Sequence, residues 1–272
     1  MTMDNLVFEL EHVSYQYGRQ EALCDVSLTV LAGERLVILG ANGCGKSTLL
    51  KMLDALYFPT TGAFNAFGAP MTEASMRDER RAYAFRRRVG LVFQDPDVQL
   101  FSPTVWDEVT FAPLHLGLSR PEVRERAEWA MNLLDIAKLR DRSPHRLSGG
   151  EKKKVALASV LSLRPDVWLL DEPTASLDPR SASRLLDFMN ELRQQGKTVI
   201  TATHDLDIVE EIAEQAVLFG EDHRVVGVGA PREMLSDRDR LIACNLLHEH
   251  RHHHEEIEHT HPHRHAHAHR HD

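Results

Sequence analysis

The sequence contains little cysteine and no long apolar run. Its three cysteines, Cys24, Cys44 and Cys244, are widely spaced in 272 residues and form neither a disulfide framework nor a metal-ligand pattern. No apolar run approaches the roughly eighteen residues that a bilayer-spanning helix needs. Residues 1–5 also lack the charged and apolar regions of a signal peptide. We therefore expect a protein of the reducing cytoplasm, whose role at a membrane depends on partners.

Positive charge is also scarce. The chain has 32 Lys and Arg against 41 Asp and Glu, a formal net charge of -9. A nucleic-acid-binding domain usually carries a basic face, so we expect no nucleic-acid partner. Residues 77–88 are the strongly basic exception, and they form either a solvated face or a surface that meets a membrane.

The distribution of apolar residues predicts an α/β fold. Residues 6–17 and 26–30 alternate between apolar and polar, as antiparallel strands do. Helices predicted between short apolar runs give a parallel sheet that is covered on both faces. The apolar runs are 35–39, 89–93, 167–170 and 198–203, and the predicted helices include 46–56, 181–195 and 238–247.

The chain divides into a core domain and a tail. Residues 4–247 hold one phosphate loop and no internal repeat, so they predict a single domain. Within it, the apolar residues of 104–147 recur at helical spacing, which indicates a helical subdomain. Residues 248–272 contain twelve of the seventeen histidines, mixed with Arg, Glu, Ala and Pro. This composition cannot build a core, and we expect a disordered segment.

A phosphate-binding loop follows the first predicted parallel strand. Residues 40–47 fit the pattern G-x-x-x-x-G-K-S at each fixed position. Glycines let backbone N–H groups surround phosphates, Lys46 reaches the β- and γ-phosphates, and Ser47 binds Mg²⁺. The alternative, a chance match in a glycine turn, does not explain the strand before it and the helix after it. The predicted nucleotide-binding residues are Gly40, Ala41, Asn42, Gly43, Cys44, Gly45, Lys46, Ser47 and Thr48.

Two adjacent carboxylates end the strand predicted at 167–170. The buried strand delivers Asp171 to the magnesium ion, directly or through water. Glu172 comes one residue later and is placed to take a proton from the attacking water. The competing interpretation is a surface acidic pair at a strand end.

A second glycine-rich segment, Leu147-Ser148-Gly149-Gly150-Glu151, opens a helix about twenty residues before this strand. The pairing resembles the ATP-binding cassette family, and residues 173–178, ending at Asp178, continue the family pattern. In that family the Ser-Gly-Gly helix start binds the ATP that a partner subunit holds. The resemblance therefore implies a head-to-tail dimer in which Ser148, Gly149, Gly150 and Asp178 help to enclose nucleotide. The chain departs from the commonest form at Glu151, where Gln is usual, which puts the strength of that contact in question.

The resemblance assigns three further residues. Gln94 matches the glutamine that touches Mg²⁺ and the attacking water and moves with the membrane partner. His204 matches the histidine that contacts the γ-phosphate. Tyr17 lies where the family places an aromatic residue that stacks on adenine, although Tyr15 is on the same side of the alternating strand and is an alternative.

Within the family, residues 94–105 and 147–158 look like those of energy-coupling-factor importer ATPases. These importers take up vitamins or metal ions, including nickel and cobalt, with a transmembrane coupling protein and a substrate-binding membrane subunit. The resemblance implies an ATPase at the cytoplasmic face of the cell membrane. We therefore predict ATP hydrolysis that drives import of Ni²⁺ or Co²⁺, and the sequence does not choose between the two.

The histidine-rich tail agrees with a metal substrate. Neutral imidazole suits Ni²⁺, Co²⁺ and Zn²⁺. An affinity tag and a solubilising end are alternatives for the tail, but tags are usually uniform runs. Rival functions are an ATPase for a vitamin, a non-transport cassette protein, and a nickel-storage protein with a vestigial ATPase. The predicted tail ligands are His252, His253, His254, His261, His263, His265, His267, His269 and His271.

Overall fold

A computed structural model describes the backbone of residues 5–254 and 257–264 and the side chains of residues 5–247. Its elements alternate between strands and helices after an antiparallel beginning. The strands are β1 (Leu6–Tyr17), β2 (Gln20–Leu31), β3 (Arg35–Leu39), β4 (Thr61–Ala66), β5 (Ala69–Pro70), β6 (Val89–Val92), β7 (Val167–Asp171), β8 (Thr198–Thr203), β9 (Gln215–Phe219), β10 (Val225–Gly229), β11 (Leu247–His254) and β12 (Ile257–Arg264).

Three of the longer helices begin at residues whose side chains accept hydrogen bonds from the first turn. Thr104, Ser148 and Asp178 cap them in this way. The helices are α1 (Lys46–Leu53), α2 (Glu73–Met76), α3 (Glu79–Arg88), α4 (Val105–His115), α5 (Arg120–Leu133), α6 (Gly149–Leu161), α7 (Pro179–Gln194), α8 (Val209–Ile212), α9 (Pro231–Ser236) and α10 (Arg238–Ala243).

Two sheets form the body of the molecule. One is antiparallel, with strand order β2-β1-β4-β5, and the other has six strands in the order β10-β9-β3-β8-β7-β6. The six-stranded sheet is parallel except for β10 at its edge. The predicted α/β fold, with a parallel-sheet core, an antiparallel β subdomain and a helical subdomain, is confirmed.

Apolar side chains cover the six-stranded sheet on both faces. In β3, Val37 and Leu39 pack into a cluster with α4 to α7, whereas Leu36 and Ile38 pack into a cluster with β1, β2 and α1. Alternate residues of a strand point to opposite faces, so one continuous apolar strand serves both layers. This double burial fixes the level at which each strand ends.

The carboxyl ends of β3, β7 and β8 lie side by side. Leu39 pairs with Thr203, and Asp171 pairs with Ala202. Ligands of parallel sheets bind at this edge. The register therefore brings the loop after β3, the acidic pair after β7 and the residues after β8 to one place.

Two helices end earlier than the sequence predicts. The helix predicted at 46–56 ends at Leu53, and the one predicted at 238–247 ends at Ala243. In both, a residue with positive φ follows the last turn: Ala55 at 54° and Asn245 at 57°. The amide after each of them bonds back five residues, Leu56 to Lys51 and Leu246 to Leu241. Each helix is thus closed by a left-handed cap.

The tail differs from the expected segment without regular structure. In its described backbone, β11 and β12 pair antiparallel, with Leu247 opposite Arg264 and His254 opposite Ile257. Strand pairing needs only backbone N–H and C=O groups, which a histidine-rich composition does not remove. The division of the chain at residue 247 stays a prediction. None of the described helices is both long and apolar enough to span a bilayer.

Candidate nucleotide-binding site

The predicted phosphate loop joins β3 to the first turn of α1. Lys46 is buried, and its Nζ donates to the carbonyl oxygens of Gly40, at 2.7 Å, and Ala41, at 3.0 Å. Gly45 has φ of 114°, and a Cβ at this position would lie 2.3 Å from the carbonyl oxygen of Ala22. Only glycine fits there, because both the backbone conformation and the space exclude a side chain. The loop is therefore tightly seated against β2.

The loop forms one wall of a cleft of about 410 Å³. The cleft unites residues that are far apart in the sequence, including the predicted aromatic residue, the phosphate loop, the glutamine and the acidic pair. It also exposes Gln20, Glu21, Ala22 and His223, which the sequence analysis did not identify. The predicted residues that line it are Tyr17, Asn42, Gly43, Gly45, Lys46, Ser47, Thr48, Gln94, Asp171 and Glu172.

The other predicted residues do not line this cleft. Gly40, Ala41 and Cys44 belong to the loop but do not line the cavity, and burial raises the pKa of the Cys44 thiol. His204 contacts the Glu172 carboxylate through its ring Nδ1. The second glycine-rich segment and the turn after the acidic pair are also outside it, namely Ser148, Gly149, Gly150 and Asp178.

Asp171 presents a buried carboxylate with one free oxygen. It is 3% exposed, and within the described part of the chain its Oδ1 has no hydrogen-bond partner. Burial is the main cause that raises the pKa of this carboxyl, and a hydrogen bond from the Ser47 side chain acts in the opposite direction. A buried, unpartnered carboxylate oxygen beside a hydroxyl is a donor set that a hard divalent cation satisfies.

The carboxylate of Glu172 is held by β8 and the residue after it. Oε1 accepts from the His204 backbone N–H at 3.1 Å and lies 2.7 Å from the ring Nδ1 of His204. Oε2 accepts from the Thr203 hydroxyl at 3.0 Å. Glu172 itself has φ of 46°, a backbone conformation that is uncommon for a residue with a side chain. Strain of this kind persists where the surroundings fix a functional side chain.

Tyr17 and Tyr15 have different surroundings. Tyr15 stacks on Tyr57 at 5.1 Å between ring centroids, whereas Tyr17 meets both rings edge-on. The Tyr17 hydroxyl lies 3.2 Å from that of Thr48, and the residue is 42% exposed. Tyr17 lines the cleft and Tyr15 does not, and this distinguishes the two residues.

Ser148 and Glu151 form reciprocal hydrogen bonds at the start of α6. Glu151 Oε2 accepts from the Ser148 backbone N–H at 2.9 Å and from its hydroxyl at 3.0 Å, and Glu151 N–H donates back at 3.4 Å. This is a capping box. The bond from the Ser148 backbone is the main cause that lowers the pKa of Glu151, which keeps the carboxyl ionised.

The comparison with known families agrees with this geometry. A family model described as ABC transporter matches residues 23–175, more than half of the chain. The chain belongs to this family. It is therefore an ATP-binding, ATP-hydrolysing subunit of a transporter.

Relatives and solved structures of this ATPase are similar over most of its length. The nickel import ATP-binding protein NikO of Rhodobacter capsulatus is 49% identical over 88% of this chain and 95% of its own. The cobalt import ATP-binding protein CbiO of the same organism is 45% identical over 86% of this chain and 82% of its own. A dimeric ATP-binding cassette in a post-hydrolysis state, bound to ADP and Pi, has a TM-score of 0.74 and 27% identity, over 83% of this chain and 99% of its own.

The sequence analysis of this ABC ATPase missed one buried polar residue near the cleft. Lys153 is 2% exposed and donates to backbone carbonyls at the ends of β6 and β7. Its position, three and four residues before the buried Ala156 and Leu157, was the available signal, because this spacing defines one face of a helix. A lysine on the apolar face of a helix indicates a specific partner for its charge.

No cluster of three or more metal-ligating side chains occurs among residues 5–247. The predicted tail ligands cannot be placed. The backbone of His252, His253, His254, His261 and His263 lies in β11 and β12, but the structure does not describe their side chains. His265, His267, His269 and His271 lie outside the described residues.

Proposed function

We propose that this ABC ATPase drives the import of a transition-metal ion, Ni²⁺ or Co²⁺, from the cytoplasmic face of the cell membrane. The observation that carries the ATPase part is the single cleft that unites the phosphate loop with Gln94, Asp171 and Glu172. The metal substrate is supported by the nickel and cobalt importers among the relatives and by the histidine-rich tail. In the proposal the metal ion is the transported substrate, and ATP hydrolysis supplies the free energy for transport.

The phosphate loop would bind the triphosphate of ATP. The backbone N–H groups of residues 40–48 and the first turn of α1 attract negative charge. Lys46 would exchange its bonds with Gly40 and Ala41 for the β- and γ-phosphates. Tyr17, which lines the cleft and is 42% exposed, would stack on adenine.

The residues at the cleft fit a magnesium ion. Ser47, Asp171 and Gln94 would hold it, and the unpartnered Oδ1 of Asp171 supports this assignment. When bound, the ion supplies charge neutralisation between the β- and γ-phosphates.

Glu172 is the proposed general base. Its carboxylate would take a proton from the attacking water, whose oxygen forms a bond to the γ-phosphorus as the bond to the bridging oxygen of ADP breaks. Thr203 and His204 fix the carboxylate, so the base meets the water without a loss of side-chain freedom. The proposal also gives His204 a contact with the γ-phosphate and gives Gln94 a contact with the attacking water.

A second copy of the chain would complete each site. Ser148, Gly149, Gly150 and Asp178 do not line the cleft of their own chain, and the proposal places them over the nucleotide of a partner. The dimeric cassette bound to ADP and Pi supports this arrangement. Each of the two sites would then contain the phosphate loop of one chain and the Ser148 turn of the other.

The membrane partners would be a transmembrane coupling protein and a metal-binding membrane subunit. A groove of about 300 Å³ that includes Phe101, Phe111 and Leu116 supports a docking surface for the coupling protein. Phe101 is 59% exposed and packs edge-on against Phe111. The groove lies beside the loop that starts at Gln94, so a docked partner would act on that loop.

An uptake assay tests the proposal. The chain is produced in cells together with the coupling protein and the metal-binding membrane subunit of a nickel or cobalt importer, and accumulated nickel and cobalt are measured by mass spectrometry. We expect accumulation of one of the two metals with the wild-type chain and none with Glu172→Gln. Uptake of a vitamin with no metal accumulation would contradict the substrate, and metal uptake that persists in Glu172→Gln would contradict the coupling.

A further inference from the structure

Lys153 is a buried cation that touches two parts of the ATPase site. Its Nζ donates to the carbonyl oxygens of Phe93 at 2.9 Å, Gln94 at 3.1 Å and Asp171 at 3.2 Å. Phe93 and Gln94 directly follow β6, and Asp171 ends β7. A lysine ammonium has three N–H groups, and here each of them has its own carbonyl.

The surroundings of Lys153 are costly for a charge. The side chain is 2% exposed, and burial is the main cause that lowers the pKa of its ammonium to about 8. The charged groups that face it are Asp95 in the loop after β6 and Asp171 and Glu172 at the end of β7, and all three favour the ammonium. Removing one partner of such a buried arrangement leaves the others unsatisfied.

A second set of bonds joins the same loop to the same helix. The Gln99 side chain donates to the Ala156 carbonyl at 2.8 Å and to the Ser159 hydroxyl at 3.0 Å. Its Oε1 accepts from the Phe93 backbone at 3.2 Å. The loop from Phe93 to Gln99 is therefore fixed to α6 at both ends, while the Gln94 side chain stays in the cleft.

The same helix begins at the Ser148 capping box. A rigid helix that carries Ser148 at its start and Lys153 near its first turn links these two points without a flexible segment between them. A shift of the Ser148 turn would therefore move the three carbonyls that Lys153 holds.

We propose that Lys153 is a positioning residue, which holds the Gln94 loop in register with the end of β7 and transmits the position of the Ser148 turn to that loop. The inference rests on the proposed roles of Gln94 and Asp171 in ATP hydrolysis. A residue that only stabilised the fold would leave turnover unchanged in the folded protein.

Steady-state ATPase kinetics of the purified full chain separate these roles. All assays are run well below the Tm of the least stable variant. Lys153→Met keeps the length of the side chain and removes its donors, and we expect kcat to fall at least tenfold while KM for ATP changes by less than threefold. Lys197→Met is the matched control, because it removes a cation whose carboxylate partner, Asp166, lies outside both the Gln94 loop and the cleft. We expect this control to keep kcat within twofold.

A double-mutant cycle with Gln94→Ala identifies the loop as the target. If Lys153 acts through Gln94, the double variant has the kcat of the slower single variant, because both changes disable one unit. The proposal would be overturned if the fold-loss of kcat in the double variant equalled the product of the two single losses. A wild-type kcat in folded Lys153→Met would also overturn it. If the methionine variant does not fold, the cycle is run with Lys153→Arg, which keeps the charge but changes the donor geometry.

The cycle also separates this inference from the proposed function. A wild-type kcat in Gln94→Ala or in Glu172→Gln would contradict the proposed roles of those residues. A large loss in both of them, together with a wild-type kcat in Lys153→Met, would contradict only the role of Lys153.

Discussion

The ring Nδ1 of His204 lies 2.7 Å from the Glu172 carboxylate, so the proposed base and the residue after β8 form one hydrogen-bonded unit. Glu172 is 3% exposed, and the His204 side chain is 30% exposed. The carboxylate is thus buried and oriented, while the ring stays reachable from solvent. This arrangement keeps the proposed base in one position before the substrate binds.

Replacing Glu172 by Gln should separate nucleotide binding from turnover. The amide keeps the size of the side chain but cannot accept a proton, so we expect kcat to fall at least a hundredfold. ATP affinity should stay within a few-fold, because Lys46 and Asp171 are intact. Size-exclusion chromatography with Mg·ATP should show an accumulated dimer. Turnover within a few-fold of the wild type would remove Glu172 from the role of base.

The two glycine-rich segments should act in trans. A Lys46→Ala chain and a Ser148→Arg chain should each be inactive. The first loses the positive charge with which the loop would bind the phosphates. A mixed dimer has one site with both defects and one with neither, so ATPase activity should reappear when the two chains are mixed. A requirement for two working sites would reduce the recovered activity. Wild-type turnover of Ser148→Arg alone would contradict the dimer.

Glu151→Gln should lower KM for ATP by a few-fold. The carboxylate of Glu151 is ionised and accepts a hydrogen bond from the Ser148 hydroxyl, so it places a negative charge where the proposed dimer brings a phosphate. The amide can still accept from the Ser148 backbone, but it carries no charge. Glu125→Gln on the exposed side of α5 is a control for the loss of one charge. An unchanged or higher KM would place the nucleotide elsewhere.

Removing residues 248–272 should eliminate metal binding without affecting hydrolysis. The ATPase residues all lie within 17–204, so kcat and Tm should be nearly unchanged. Isothermal titration of the full chain with Ni²⁺ should detect several sites that the truncation lacks. These sites should weaken as the pH falls through about 6.5, because a protonated imidazole cannot bind a metal ion. Equal stoichiometry in the two proteins would contradict the role of the tail.

Asp54→Asn should stabilise the chain at neutral and higher pH. Burial raises the pKa of Asp54 to about 7, and the charge of Arg86 opposes this only in part. Because the folded pKa exceeds the unfolded one, the folded state binds more protons, so stability falls from about pH 4 to about pH 7. The gain in Tm from Asn should therefore be small near pH 4 and reach several degrees at pH 8. A gain that does not depend on pH would exclude ionisation as its cause.

Periodicity and motifs predicted most of the parallel sheet and the cleft, because buried strands and phosphate loops leave short, local patterns. They did not predict where α1 and α10 end, since Ala55 and Asn245 adopt positive φ in sequences without a glycine. They also missed β9 and the edge strand β10, and two of the five residues of β10 are glycines, which strands disfavour. Lys153 was missed for another reason. Its three carbonyl partners come from residues that only the folded sheet brings together.

The contact between Gly45 and Ala22 also limits how this sequence can change. The phosphate loop follows β3 of the six-stranded sheet, and Ala22 lies in β2 of the antiparallel sheet. A Cβ on Gly45 would lie only 2.3 Å from the Ala22 carbonyl oxygen. A replacement at residue 45 cannot be compensated by a smaller side chain at residue 22, because the obstacle is main chain. The glycine at residue 45 is therefore required by the main-chain path of β2, whichever side chain stands at residue 22.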